Sequence, residues 1–133
     1  MSGETNISKL IQEMSPELNP GEYVFSTVPN TDDIERKDTL CELKEKEGTT
    51  LVIEKSKADH LKLPYEYVAS WITLRIHSSL EAVGLTAVFS TALAKNDISC
   101  NVIAGYYHDH IFVDTKDSEK AMSVLTALAN KSK

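Results

Sequence analysis

The chain has few of the residues that would point to a disulfide scaffold, a metal centre or a membrane anchor. Its 133 residues include only two cysteines, Cys41 and Cys100, far apart and without C-x-x-C spacing. This usage favours reduced thiols inside a cell. No stretch approaches the roughly 18 to 20 consecutive apolar residues of a membrane span, and residues 1–6 lack the basic start and apolar run of a signal peptide. We therefore expect a cytoplasmic protein with no membrane association.

Basic residues are also scarce. There are 14 lysines and arginines against 20 acidic residues, which gives a formal net charge of −6. The negative electrostatic field of such a chain repels the phosphates of nucleic acid, so we expect no nucleic-acid partner. Hydrophobic residues make up 41% of the chain, which is typical of a globular protein rather than a disordered one. A chain of this length forms one compact domain, or two very small ones that share a core.

The second half carries the clearest secondary-structure pattern. Over residues 70–77, the apolar Ile72, Leu74 and Ile76 alternate with other residues, which predicts a strand with one face on a core. Helical periodicity follows over residues 85–93. Two further strands are predicted over 99–106 and 110–114, with the turn at 107–109. A last helix begins near Thr115 or Asp117 and runs almost to the end.

The first half is less regular. Its apolar spacing predicts a helix over residues 7–14, capped by Thr5 or Asn6. A strand is predicted over 22–28, a short polar connection over 31–38, and a hairpin from 40–46 and 49–54. Ser56 and Asp59 have the spacing of a capping box, which predicts a short helix to about residue 62.

Two segments of the first half recur in the second. Residues 25–30 resemble residues 73–78 at an offset of 48, and residues 50–55 resemble 110–115 at an offset of 60. The two offsets differ by the length of about three helical turns, as expected if the first unit has a shortened first helix. We therefore predict an α+β fold of two tandem ferredoxin-like βαββαβ units, residues 1–68 and 69–133, with antiparallel sheets.

The second predicted unit has no sequence left for its closing strand after the last helix. The two units are therefore expected to share or exchange edge strands. An edge that remains free favours pairing with another copy, so the sequence predicts a homodimer.

The loop before the central helix of the second half is the first candidate site. Ser78, Ser79 and Gly84 lie where a core strand passes into that helix, whose first turn has unpaired N–H groups and the positive end of the helix dipole. A carboxylate suits this position, and Gly84 allows its close approach to the backbone. The other interpretation is that Ser78 or Ser79 only caps the helix.

Asp109 is the second candidate. Its carboxylate, in a predicted turn, suits an ammonium group, although aspartate in turns also serves local hydrogen bonds. His108 and His110, with His77, permit a metal site, but no metal-binding spacing supports it. The sequence has no nucleophile elbow, P-loop or G-x-G-x-x-G, so we expect neither a catalytic residue nor a cofactor.

At these positions the sequence resembles a known family. The segment HSSLEAVGLTA at 77–87, followed by Leu93-Ala94, Ile98-Ser99 and GYYHDHIFV at 105–113, is similar to the ACT domain. It most resembles the tandem ACT-like group that includes the regulatory portion of aspartokinases and the cytosolic arginine sensors. The resemblance is specific over residues 70–129. Over residues 1–69 it is looser and rests on a Pro-Gly-Glu-Tyr-Val-Phe strand.

The resemblance implies a non-catalytic regulatory protein that binds a free amino acid or a similar small zwitterion. It implies that a helix-start motif holds the ligand carboxylate, that Asp109 holds the α-amino group, and that one strand borders the ligand. The motif residues are Val83, Gly84, Leu85 and Thr86, and the strand residues are Asn101, Val102 and Ile103. His108 and His110 depart from the family pattern around the aspartate, so no side-chain preference is implied.

Two other functions stay open on the sequence. One is a small metal-binding protein or enzyme that uses His77, His108 and His110. The other is a structural dimerisation module that no longer binds a ligand.

Overall fold

The computed structural model describes residues 6–76 and 83–131. Two short 3₁₀ helices, Arg36–Asp38 and Thr115–Asp117, directly precede the strand that begins at Thr39 and the helix that begins at Ser118. The helices and strands follow in this order: α1 (Ile7–Glu13), β1 (Pro16–Leu18), β2 (Tyr23–Val28), β3 (Thr39–Lys44), β4 (Thr49–Glu54), α2 (Lys55–His60), β5 (Val68–Leu74), α3 (Leu85–Ala94), β6 (Asn101–Ala104), β7 (Asp109–Asp114) and α4 (Ser118–Lys131).

The chain divides into two compact units. The first unit is Pro20–Ser70, and the second combines the chain up to Asn19 with the part from Trp71 onward. The sequence predicts a division near residue 68 with all earlier residues in the first unit. In the structure, by contrast, α1 and β1 group with the second half of the chain.

The first unit has its strands in the order β3, β4, β2 and the start of β5. Both β3 and β2 pair antiparallel with β4, and Val68 and Ala69 of β5 pair antiparallel with Val24 and Tyr23. Ala58 of α2 packs against Val24 and Ile53. A 3₁₀ helix of three residues stands between β2 and β3, so the predicted shortening of the first helix is confirmed.

In the second unit, β5 lies between β1 and β7, and β7 pairs antiparallel with β6. The predicted alternation along β5 is confirmed, because Ile72, Leu74 and Ile76 all lie in the hydrophobic core. Residues of α1, α3 and α4 complete that core: Leu10 and Ile11, Leu85, Phe89 and Leu93, and Ala121, Leu125 and Ala129. Burial of these side chains drives the helices onto one face of the sheet.

The strand that the second unit lacks at its own end is β1. Its three residues pair antiparallel with β5, with Pro16 opposite Leu74 and Leu18 opposite Ile72. The first residues of β5 close the first unit, and its later residues belong to the second. The prediction of shared and exchanged edge strands is therefore confirmed, although the sequence did not identify β1 as the donor. Together these units form a tandem α+β, ferredoxin-like fold.

Local capping agrees with the sequence at α1 and differs at α2. Asn6 is the N-cap of α1, and its side chain accepts from the Lys9 amide at 3.0 Å. The predicted capping box at Ser56 is wrong, because the N-cap position of α2 is Glu54, two residues earlier. Asp59 instead accepts hydrogen bonds from Lys55 Nζ at 2.9 Å and from the Tyr65 hydroxyl at 2.5 Å.

Candidate functional site

Asp109 is the first residue of β7 and not part of the turn before it. The connection from β6 runs from Gly105 to His108, and the Gly105 amide donates to the His108 carbonyl at 2.9 Å. Asp109 then pairs with Ala104. The sequence placed Asp109 in the turn because histidine and aspartate next to tyrosines carry little strand signal. Its place in a strand fixes the direction of its side chain.

The Asp109 carboxyl is buried and has no polar partner in the described part of the chain. Side chains of a strand alternate between faces, so Asp109 shares its face with Ile111 and Val113, both in the core. Its exposed fraction is 8%, and no hydrogen bond or ion pair to its carboxylate is found among residues 6–76 and 83–131. Burial raises the pKa of Asp109, and the nearby His108 opposes that rise. An ionised carboxylate is costly in such a position unless a cation pairs with it.

The start of α3 provides the opposite polarity. Gly84 is its N-cap residue, in the left-handed conformation with φ +95°, and apart from its chain neighbours no heavy atom of the described residues lies within 4 Å of the position of a Cβ. Val83 and Thr86 are exposed, whereas Leu85 is buried in the core. The first helical turn leaves N–H groups that have no partner within the helix. Ser78 and Ser79 lie outside the described residues, and neither is the N-cap.

The same core connects the start of α3 to β7. Leu85, the first residue of α3, and Ile111 of β7 belong to one hydrophobic cluster, together with Ile76 beyond the end of β5. Asp109 stands two residues before Ile111 on the same face. Both candidate groups therefore belong to the second unit and adjoin one core.

The predicted strand residues of β6 divide between the two faces of the sheet. Val102 is half-buried, packs against the core and pairs with Ile111, so it lies on the face of Asp109. Asn101 and Ile103 lie on the other face. The Asn101 amide donates to the Phe112 carbonyl at 3.4 Å. Of these three residues, only Val102 shares a face with Asp109.

His110 takes part in a hydrogen-bonded cluster that the sequence does not reveal. Trp71 Nε1 donates to His110 Nδ1 at 3.0 Å, and Thr73 Oγ1 lies 3.2 Å from the same nitrogen. Since the indole N–H can only donate, Nδ1 is an acceptor and the ring is neutral, with its proton on Nε2. Burial, and secondarily the charge of His108, lower the pKa of His110.

This cluster bears on the predicted metal site. His110 Nδ1 is already occupied by Trp71, and His77 lies outside the described residues. Within residues 6–76 and 83–131 no group of three histidine, cysteine or acidic side chains is arranged to hold a metal ion. Nδ1 of His108 is buried and has no hydrogen-bond partner in this part of the chain. The metal or enzyme alternative built on these histidines is not favoured.

Comparison with known families agrees with this fold. Two models of the ACT domain match the chain, one over residues 2–70 and the other over residues 66–127. The chain belongs to the ACT domain family and contains two such domains in tandem. No curated protein matches it.

Solved structures are similar over nearly the whole chain. A Vibrio cholerae protein, described as of unknown function and a possible transport protein, is 47% identical, with a TM-score of 0.83 over 92% of this chain and 94% of that one. Clostridium acetobutylicum aspartate kinase is 14% identical, with a TM-score of 0.62 over 89% of this chain and 34% of that chain. The ligand-free regulatory subunit of aspartate kinase from Thermus thermophilus is 9% identical, with a TM-score of 0.59 over 85% and 95%. The last two show the shared fold.

Membership of the ACT domain family supports a regulatory role that involves a small ligand. The helices of residues 6–76 and 83–131 include none with the length and apolar character needed to cross a membrane.

Proposed function

We propose that this chain is a cytoplasmic regulatory protein that binds a free amino acid, or a similar small zwitterion, without catalytic activity of its own. The observation that carries the proposal is the Asp109 carboxyl, which is buried and has no partner in the described residues. The neighbours support it: one is an aspartate kinase described as an important allosteric enzyme, and another is a ligand-free regulatory subunit.

Asp109 is the proposed acceptor for the α-ammonium group. Removing a carboxylate from water without a counter-charge is costly, and a charge-assisted hydrogen bond from an ammonium group offsets that cost. Because the carboxyl lies on the core face of β7, beside Val102 of the neighbouring strand, we expect the apolar surface of β6 to border the ligand. Asn101 and Ile103 of the same strand are included as residues that border the ligand by their place in the sequence.

The start of α3 is the proposed site of the ligand carboxylate. Val83 and Thr86 are exposed, and Gly84, which has no side chain, leaves room for an anion to approach the first-turn amides and the positive end of the dipole. Leu85 anchors this turn in the core, and Ser78 is included as a further contact by its place in the sequence motif.

The test is a thermal-shift screen of the full chain with the twenty amino acids, followed by calorimetry on each compound that raises the melting temperature. We expect at least one amino acid to bind at millimolar concentration or below. The variant Asp109→Asn is expected to lose that binding. The absence of heat and of a thermal shift with all twenty would contradict the proposal.

A matched control is Asp114→Asn, at the other end of the same strand. Asp114 accepts from the Lys116 amide at 3.1 Å, and an asparagine oxygen can accept the same bond. This variant is expected to bind like the wild type. Loss of binding in both variants would show a general effect on β7 instead of a role for Asp109.

A homodimer is part of the proposal. Within the described residues β3 and β6 are the outer strands of the sheet order, so each has an edge without a neighbouring strand. Such edges favour pairing with a second copy. Light scattering on the purified chain tests this, with a mass of two copies expected.

A further inference from the structure

A groove in the first unit has no part in the site around Asp109. Its volume is about 460 Å³, within the range of small-molecule sites. All its residues come from β2, β4 and the segment between α2 and β5. They are Phe25, Ser26, Thr27, Thr50, Pro64, Tyr65, Glu66 and Tyr67.

Aromatic rings and one free carboxylate dominate the lining. Phe25, Tyr65 and Tyr67 are half-buried, so each presents part of its ring surface to solvent. Glu66 is exposed and forms no ion pair or hydrogen bond in the described part of the chain. No lysine or arginine lines the groove.

A basic side chain beside the groove, Lys55, is paired with a carboxylate. Lys55 Nζ lies 5.9 Å from the centroid of the Tyr65 ring and 2.9 Å from a carboxylate oxygen of Asp59. The ion pair balances the charge of Lys55, so Glu66 keeps its own charge uncompensated. Lys55 Nζ also lies within the distance of a cation–π contact with the Tyr65 ring.

Two of the lining hydroxyls are occupied by other partners. Ser26 Oγ donates to the Pro64 carbonyl at 2.5 Å, which ties the segment after α2 to β2. Thr50 Oγ1 donates to the carboxylate of Glu45. The second bond brings another carboxylate to a lining residue, so the charged groups beside the lining are the carboxylates of Glu66 and Glu45 and the ion pair of Lys55 with Asp59.

We propose that this groove binds a small organic cation, an ammonium group with an apolar body. Aromatic rings attract such cations through their quadrupoles, and a carboxylate adds a charge-assisted contact. The net charge of −6 adds a long-range attraction of the same sign. A small anion gains less from this lining, because it meets the Glu66 carboxylate and because the hydroxyls of Ser26 and Thr50 already donate elsewhere.

The experiment is an amide ¹⁵N–¹H titration of the full chain with choline and, separately, with 3,3-dimethylbutan-1-ol, its neutral isostere. We expect choline to shift the amides of residues 25–27, 50 and 64–67 in a saturable way. The neutral compound is expected to bind at least about threefold more weakly, since it lacks the charge. Equal shifts by both compounds, or no shifts at the groove, would overturn the proposal.

Two variants keep the test specific. Glu66→Gln, on an exposed side chain that leaves folding intact, is expected to weaken choline binding about threefold. Glu47→Gln, an exposed glutamate in the β3–β4 turn, is the matched control and is expected to bind choline like the wild type. Unchanged affinity in Glu66→Gln, or an equal loss in both variants, would overturn the role of Glu66 and with it the proposal.

An aromatic pair completes the design. Tyr67→Leu removes a groove ring, whereas Tyr106→Leu removes an exposed ring in the second unit. Only the first is expected to weaken choline binding, and its amide spectrum verifies that it folds. Asp109→Asn is expected to leave choline binding unchanged. The proposal for the groove and the proposal for amino-acid binding are therefore tested independently.

Discussion

Trp71 Nε1 donates a hydrogen bond to His110 Nδ1 over 3.0 Å, although the two residues stand 39 positions apart. The bond joins β5 to β7 on the face away from the helices. The rings are 5.8 Å apart between centroids, and Thr73 Oγ1 lies beside the same nitrogen. The pair thus holds His110 as a neutral ring on the face of β7 opposite to the Asp109 side chain.

Loss of the indole donor should destabilise the second unit. Trp71→Phe keeps an aromatic ring but leaves His110 Nδ1 with Thr73 as its hydrogen-bond partner, so we expect a cost of about 1 to 2 kcal/mol in the free energy of unfolding. Urea denaturation followed by circular dichroism measures it. A double-mutant cycle with Thr73→Val should show coupling, because both residues contact one nitrogen, and strict additivity would contradict the arrangement.

His110 should also make stability depend on pH. Its pKa is lowered in the folded chain, so unfolding takes up a proton between that lowered value and about 6.5. The contribution of neutral His110 to the free energy of unfolding is fully present above pH 6.5, and it is lost as the pH falls through the pKa of His110 in the folded chain. Urea midpoints across this range should rise with pH in the wild type and more weakly in His110→Gln. An identical slope in both would contradict this account.

Asp109→Asn should stabilise the ligand-free chain while it abolishes ligand binding. The amide removes a buried charge without a partner, so we expect a gain of about 1 kcal/mol at neutral pH. The pKa of Asp109 is raised in the folded chain. The free-energy cost of its buried charge in the wild type therefore appears as the pH rises from 3.8 through that raised value. The gain should therefore vanish below pH 3.8. A destabilised variant at pH 7 would show that the carboxylate has a structural partner.

Because α1 and β1 belong to the second unit, a core mutation in α1 should act on that unit. Leu10 of α1 is 3% exposed and packs in the core of the second unit, so Leu10→Ala should cost about 3 kcal/mol. Amide exchange is expected to accelerate in β5, β6 and β7, with less effect in β3 and β4. The control is Val24→Ala in the first unit, for which the opposite distribution is expected. Equal acceleration in both units by both variants would contradict the division of the chain.

Most of the fold could be predicted from the sequence, because its signals are local and periodic. Ile72, Leu74 and Ile76 alternate as a strand on a core must, and the offsets of 48 and 60 residues locate a lost helix without any structural information. The difference between these offsets predicts that the first unit lacks most of one helix, and the structure has only the short 3₁₀ helix Arg36–Asp38 at that place.

The rest depends on contacts that sequence patterns do not carry. β1 has three residues, begins with Pro16 and gains its pairing only from β5, so no window shows it as a strand. The burial of Asp109 likewise depends on the core under β7, and the bond between Trp71 and His110 depends on strand order. The residues of the candidate site could be selected by motif, but their electrostatic state could not.

The most direct measurement compares an amino acid that binds in the screen with its des-amino analogue, by calorimetry on the wild type and on Asp109→Asn. If the buried carboxylate holds the ammonium group, the wild type should bind the amino acid at least about tenfold more tightly, and the variant should lose this discrimination. Equal affinity of the wild type for both compounds, or full discrimination by the variant, would contradict the account.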